Sequence, residues 1–172
     1  MTQYVAFLRG INIGGKTIVM KDLAALLEKA GFQKVQTVLA SGNVVFSSSV
    51  AEETTIAAII EKVIQSAFGF PVRVTVRKIQ DIKEIVQKSP FRHFSTDKAM
   101  HWYVTFLKNN QKTVPQEING CTFLSVRNRM LFTVLDKQKG KSTDLLTYLD
   151  RVYGKEVTTR NWNTLVKITM LI

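Results

Sequence analysis

The chain has 172 residues, 45% of them hydrophobic and 22% charged, with 24 Lys and Arg against 13 Asp and Glu for a net charge of +11. That composition suits one globular domain or two small ones with a real core, and it excludes a disordered or fibrous protein. The single cysteine, Cys121, excludes an internal disulfide and a Cys-based metal cluster, no apolar run reaches the ~18 residues of a membrane span, and Met1-Thr2-Gln3-Tyr4 carries no basic leader, so a cytoplasmic chain off the membrane is expected.

In chain order, Tyr4 to Arg9 is a short apolar run ending at Gly10 and reads as a buried strand. Met20, Leu23, Ala24, Leu26, Leu27 and Ala30 recur at helical spacing, with Lys29 in the last turn and Gly31 at the stop. Val35 to Ala40 and Val44 to Ser47 are β-branched runs around the turn Ser41-Gly42-Asn43. Ile56, Ile59, Ile60, Val63, Ile64, Ala67 and Phe68 form an amphipathic stripe, with Glu52 and Glu53 at the favoured end of the helix dipole and Gly69 as terminator. Val72, Val74 and Val76 alternate with Arg73, Thr75 and Arg77, as in a strand with one apolar and one polar face. The order β-α-β-β-α-β predicts a ferredoxin-like, or α/β-plait, arrangement.

Ile79, Ile82, Ile85 and Val86 predict a connecting helix stopped by Ser89-Pro90, and Phe91 to Ala99 reads as a polar linker. Trp102 to Leu107 then reads as a strand, and Thr122–Val126 with Met130–Leu135 as a hairpin. Leu145, Leu146, Leu149 and Tyr153 mark a helix with Ser142 as its cap and Gly154 behind it, and Trp162, Leu165, Val166 and Ile168 to Ile172 mark a terminal helix. The second half thus reads β-β-β-α-α, a decayed copy of the first. The expected fold is α+β, with a ferredoxin-like half over residues 1–88 packed with a smaller plait-like half and C-terminal helix over residues 89–172.

Gly10-Ile11-Asn12-Ile13-Gly14-Gly15-Lys16-Thr17 fits the phosphate-loop pattern G-x-x-x-x-G-K-[ST], in which glycine-freed amides surround a phosphate, Lys16 neutralises it and Thr17 holds magnesium. Leu131 to Asp136 offers an apolar strand ending in an acid for a second metal contact. Against this stand the predicted hairpins, which build antiparallel sheets, and Ile18-Val19, which separates Lys16-Thr17 from the helix. A glycine-permitted turn from strand to helix is the competing reading.

Tyr4-Val-Ala-Phe-Leu-Arg-Gly-Ile-Asn-Ile-Gly-Gly-Lys16, Ser41-Gly-Asn-Val-Val-Phe46, Gly140-Lys141-Ser142 and Thr158-Thr-Arg-Asn-Trp-Asn-Thr164 together resemble domain-of-unknown-function family 1697, in the right order and over essentially the full chain. The resemblance implies a small bacterial α+β protein with a plait-like core and brings no biochemical activity. It also implies that Thr17 completes the phosphate-loop pattern by chance, because the family often has neither Ser nor Thr there.

Read physically, these segments suggest an anion site. Arg9, Gly10, Asn12, Gly14, Gly15 and Lys16 lie at or beyond the end of the first strand, Ser41 and Asn43 in a polar turn, and Arg160, Asn161, Trp162 and Asn163 at the opening of the last helix, where free amides attract anions. The competing reading has Asn161 and Asn163 capping that helix and Trp162 in the core.

The charge is dispersed: Met1–Lys88 carries 11 basic and 7 acidic residues, Ser89–Ile172 carries 13 and 6. Arg127 and Arg129 at a hairpin turn, followed by Lys137, Lys139 and Lys141, are the nucleic-acid candidates, and Arg73 and Arg77 lie on the sheet side that RNA-binding plaits use. The RNA-recognition signature is absent. His93 and His101 have no metal-ligand spacing, and a Cys121–His101 nucleophile and base is outweighed by a buried Cys121. The expectation is a non-enzymatic binder of a phosphate-bearing small molecule or nucleic acid, with neither metal nor cofactor. The alternative is a small phosphotransferase using Gly10–Thr17. Catalysis and oligomeric state are left open.

Overall fold

The computed structural model describes residues 1–94, 97–110, 114 and 117–172. The chain divides into two compact units, one of Met1–Lys83 with Leu171–Ile172 and one of Glu84–Met170. The expected boundary after Lys88 and this division lie five residues apart, one just past the end of a helix and the other inside it.

The first unit contains β1 (Thr2–Arg9), α1 (Met20–Lys29), β2 (Gln33–Val38), β3 (Asn43–Ser48), α2 (Glu53–Phe68), β4 (Arg73–Lys78) and the start of α3 (Ile79–Gln87). Its antiparallel sheet has the order β2-β3-β1-β4, which is the ferredoxin-like plait. Alternation along the strands sends Tyr4, Ala6 and Leu8, with Val44, Phe46, Val74 and Val76, toward one core. Into that core α1 sends Leu23 and Leu27, and α2 sends Ile56, Ile60 and Ile64. Each of these fully buried isoleucines contributes about 2 kcal/mol by transfer from water. Gly69 ends α2 at φ 78° and returns its amide to the Gln65 carbonyl at 3.0 Å, a left-handed stop that a β-carbon would strain.

The other face of this sheet is not open. Val5 and Phe7 are fully buried, and Arg77 is 3% exposed. Arg77 pairs with Glu53 at 3.6 Å and donates from Nη1 to its neighbour's carbonyl, Val76, at 2.7 Å. Phe7, an aromatic on the side where RNA-binding plaits present their stacking platform, is thus buried.

The second unit contains the rest of α3, β5 (Met100–Phe106), β6 (Cys121–Arg127), β7 (Met130–Asp136), α4 (Ser142–Tyr153), β8 (Thr158–Asn161) and α5 (Trp162–Met170). Its antiparallel sheet has the order β6-β7-β5-β8. Counted within the unit, that is second, third, first, fourth, the same order as in the first unit. The copy is therefore topological. It carries no counterpart of α1 among the described residues between β5 and β6. Cys121, Leu131, Leu135, Leu145 and Leu149 form one core cluster, and Phe91 stacks on Trp102 (5.2 Å, 5°) and meets Trp162 edge-on (5.1 Å, 70°). Phe91 is fully buried, so the stretch after α3 is anchored rather than a polar linker; its Ser95 and Thr96 lie outside the described residues.

Three local expectations are corrected. The unit runs β-β-β-α-β-α, because Thr158–Asn161 forms strand β8 along β5, with Tyr103 opposite Asn161 and Phe106 opposite Thr158. Four residues are too few to show a period, and their partner lies more than fifty residues upstream. Asn43 belongs not to the turn but to β3, opposite Val38, and is fully buried. Ser142 is the first residue of α4 rather than its cap, a position held by Lys141 without a side-chain hydrogen bond.

Candidate functional site

In the first unit, the segment after β1 and the β2–β3 turn are tied into one knot. Ile13 and Lys16 form a bridge around Gly14 (φ 58°) and Gly15 (φ 83°), a two-residue turn that needs positive φ at both centres and so selects two glycines. Asn12, itself at φ 57°, donates from its amide to the Lys16 carbonyl, and from Nδ2 to the Ala40 carbonyl at 2.8 Å. Its Oδ1 accepts the Ile18 amide at 2.9 Å. Leu8 N–H donates to the Gly42 carbonyl at 2.7 Å, and a β-carbon on Gly42 would lie 2.7 Å from Ile11 Cδ1. Asn43 Nδ2 reaches the Val38 carbonyl at 2.9 Å and Ser41 Oγ at 3.0 Å.

The amides of Asn12, Lys16 and Ile18 are thus spent inside the protein, and α1 begins at Met20, beyond Thr17. A phosphate loop keeps such amides free and runs directly into its helix. Lys16 Nζ lies 5.8 Å from the centre of the Phe70 ring, a cation–π contact. Arg9 closes β1 opposite Arg73, whose guanidinium pairs with Glu61 at 3.7 Å. The geometry of this segment is that of the competing reading, a built turn.

The segment Arg160–Asn163 belongs to the second unit. Arg160 and Asn161 lie on β8, and the helix opens only at Trp162. Asn161 Oδ1 accepts the Asn163 amide at 2.9 Å, a local turn at the head of α5. Arg160 donates from Nη1 to the Thr159 carbonyl at 3.0 Å, and burial pulls its guanidinium down to about 10, still cationic at neutral pH. Beside this junction is a cavity of about 360 Å³ lined by Asp97, Lys98, His101, Trp102, Asn161 and Asn163, with the 5%-exposed Trp162 in its wall.

The strand pairing determines what else collects here. β7 and β8 both run antiparallel to β5, so their C-terminal ends, and the helices that follow them, start at the same end of the sheet. That end carries the first turns of α4 and α5, and also Lys137, Lys139 and Lys141. Lys137 N–H donates to the Ala99 carbonyl at 2.9 Å, next to Lys98. The acids here are Asp97, Asp144 and Asp136, the last paired with Lys139 at 3.4 Å. Arg127 and Arg129 lie at the opposite end of β7, about 23 Å away for seven strand residues, so the five basic candidates form two groups.

Cys121 and His101 both pair with Leu135 from its two sides, which sets them two strand spacings, about 10 Å, apart and excludes a nucleophile and base pair. Burial raises the Cys121 thiol, with help from Asp144 and Glu117. It also raises the Tyr103 hydroxyl, in part offset by a hydrogen bond with Ser142. Lys98 and Trp102 carry no site signal in the sequence, and His101 only the pairing with Cys121, because only the β5–β8 pairing brings them beside Asn161. No helix among the described residues is long and apolar enough to cross a membrane.

The comparisons agree with this fold. The family model described as Protein of unknown function (DUF1697) matches residues 1–123, ending before the Thr158–Thr164 segment that contributed to the resemblance. No curated protein matches the sequence. A solved structure, that of the conserved bacterial protein SP0830 from Streptococcus pneumoniae, superposes with a TM-score of 0.75 at 21% identity, covering 99% of this chain and 98% of that one. With the Tyr4–Lys16 and Ser41–Phe46 segments in the first plait and the match spanning more than half of its length, the chain belongs to the family Protein of unknown function (DUF1697).

Proposed function

We propose that the protein is a non-enzymatic binder of a phosphate-bearing ligand, nucleic acid first, and that it uses the end of the second sheet where α4 and α5 begin. The observation that carries this reading is the cavity itself. It joins a helix head, the Lys98 ammonium and the Asn161 and Asn163 side-chain Nδ2 groups, suited to an anion, to the Trp102 and Trp162 indoles, suited to a flat ring. Its 360 Å³ lies in the range of small-ligand sites. Lys137, Lys139 and Lys141 follow β7 at the same end of the sheet and would carry a longer polyanion onward. Asp97 and Asp144 temper the field, so recognition depends on placed donors more than on net charge.

Retention on heparin and on DNA cellulose across a salt gradient, beside an unrelated protein of equal net charge, tests the reading. Later elution than the control supports it, as does loss of that advantage in Lys98→Glu; retention equal to the control overturns it. The rival phosphotransferase requires magnesium-dependent thermal stabilisation by ATP that vanishes in Lys16→Ala. Absence of that effect in the parent protein removes the rival.

A further inference from the structure

We propose that the first unit holds a second and separate site, a cationic groove that binds the backbone of single-stranded nucleic acid without reading its sequence. The groove, of about 590 Å³, lies at the end of the first sheet where β1 and β2 begin and β3 and β4 finish. Gln33, Ser47 and Gln3 lie in register across three adjacent strands, a row of hydrogen-bonding side chains. Lys34 flanks the row at the β2 edge, and Lys78 and Lys83 flank it on the side of β4 and α3. Among the described residues no carboxylate side chain lines it. The nearby Glu53 is turned to the Lys78 amide at 3.1 Å and to Arg77 at 3.6 Å, and Lys83 Nζ donates to the main-chain oxygen of Ile172 at 3.4 Å.

A second observation concerns the backbone. Lys34 has φ 51°, at the bulge where the β2–β3 register shifts between Gln33 and Gln36. Left-handed backbone is costly for a long side chain and cheap for glycine or asparagine, and bulges re-aim side chains. A lysine in that conformation spends stability on the direction of its ammonium group.

The spacing and the lining select the ligand. The β2 and β4 edges are three strand spacings apart, about 14 Å, the rise of about four stacked nucleotides in one strand. A duplex is read by elements that project into its grooves, and a groove offers none. Among the described residues no aromatic side chain lines it to stack a base, so phosphates are held and bases are not distinguished. The inference shares with the proposed function only its ligand chemistry, since its residues and its unit are different.

The test is anisotropy of a labelled dodecathymidylate between 50 and 200 mM KCl. Three ammonium contacts on a single strand contribute about 2 to the slope of log affinity against log salt. Lys34→Ala/Lys78→Ala/Lys83→Ala should therefore lose about 2 from that slope, which makes its salt-induced fall in affinity across the range roughly sixteen-fold smaller than the parent's. Lys21→Ala/Lys29→Ala/Lys62→Ala, the same charge loss on exposed helix positions of the same unit, should keep the parent slope. Equal losses in the two triples overturn the groove while leaving the cavity reading intact. No binding of the oligonucleotide by the parent overturns the groove too, and the heparin comparison then decides the cavity reading separately. Tighter binding to anionic vesicles than to the oligonucleotide overturns the nucleic-acid assignment. Lys34→Gly guards against a folding artefact: it should melt higher than the parent and yet bind more weakly, and unchanged binding counts against the proposal.

Discussion

Asn12 is the clearest place to separate a structural motif from a ligand-binding one. Asn12→Ala removes a donor to the Ala40 carbonyl at 2.8 Å and an acceptor for the Ile18 amide at 2.9 Å. A net hydrogen bond is worth about 0.5–1.5 kcal/mol, and because the side chain is exposed the lower half of that range applies, about 1–2 kcal/mol for the two. Alanine must also hold φ 57°, which costs about 1 kcal/mol more. The expected loss is therefore about 2–3 kcal/mol for Asn12→Ala, and about 1–2 kcal/mol for Asn12→Gly, which keeps the backbone freedom and loses only the bonds. Urea unfolding followed by far-UV circular dichroism reads both values, the larger as a fall in midpoint of about 1–2 M for a slope near 1.5 kcal/mol/M. Tryptophan fluorescence supplies an internal reference, since both tryptophans, Trp102 and Trp162, lie in the second unit. A change below about 0.5 kcal/mol for alanine, or glycine no better than alanine, would refute the knot as the reason for asparagine at this position.

Three further outcomes follow from the second unit. Its raised thiol makes native Cys121 slow to alkylate at pH 8 and fast in urea; equal rates would contradict the burial. By linkage, a group whose folded value is raised gives stability that is complete below its unfolded value, about 8.5, and is lost as pH climbs through the folded one, so unfolding free energy should fall above about pH 8.5 and the fall should shrink in Cys121→Ala. Gly140→Ala drives a methyl group onto the Asn119 carbonyl oxygen; the backbone must move, at a cost of about 3 kcal/mol or more, and a melting temperature within 2 °C of the parent would show that the loop yields freely.

The elements that were legible in the sequence are those whose causes are local. The stripe Ile56, Ile60, Ile64 with Gly69 behind it states a helix and its end within seventeen residues, because helical contacts join neighbours. The βαββαβ order then follows from counting such segments, and so does the antiparallel sheet, since short connections permit little else. β8 was invisible for the opposite reason. Thr158–Asn161 becomes a strand only through hydrogen bonds to β5, and a misplaced β8 also misplaces the head of α5. The Gly10–Thr17 pattern shows a third limit. Its glycines are turn formers in either reading, but whether its amides face a phosphate or their own carbonyls depends on Ala40 and Lys16, which only the folded chain presents to Asn12.

The +11 charge, the single cysteine and the apolar periods belong to the chain whatever its conformation, and the apolar periods sufficed for an α+β protein with a plait-like first half. Which cations act together is different, because it depends on distances between residues far apart in sequence. Lys137 and Arg129 are eight positions apart and lie at opposite ends of β7. Lys34 and Lys78, forty-four positions apart, border one groove. Charge sums along a chain, whereas a site is set by strand order and register.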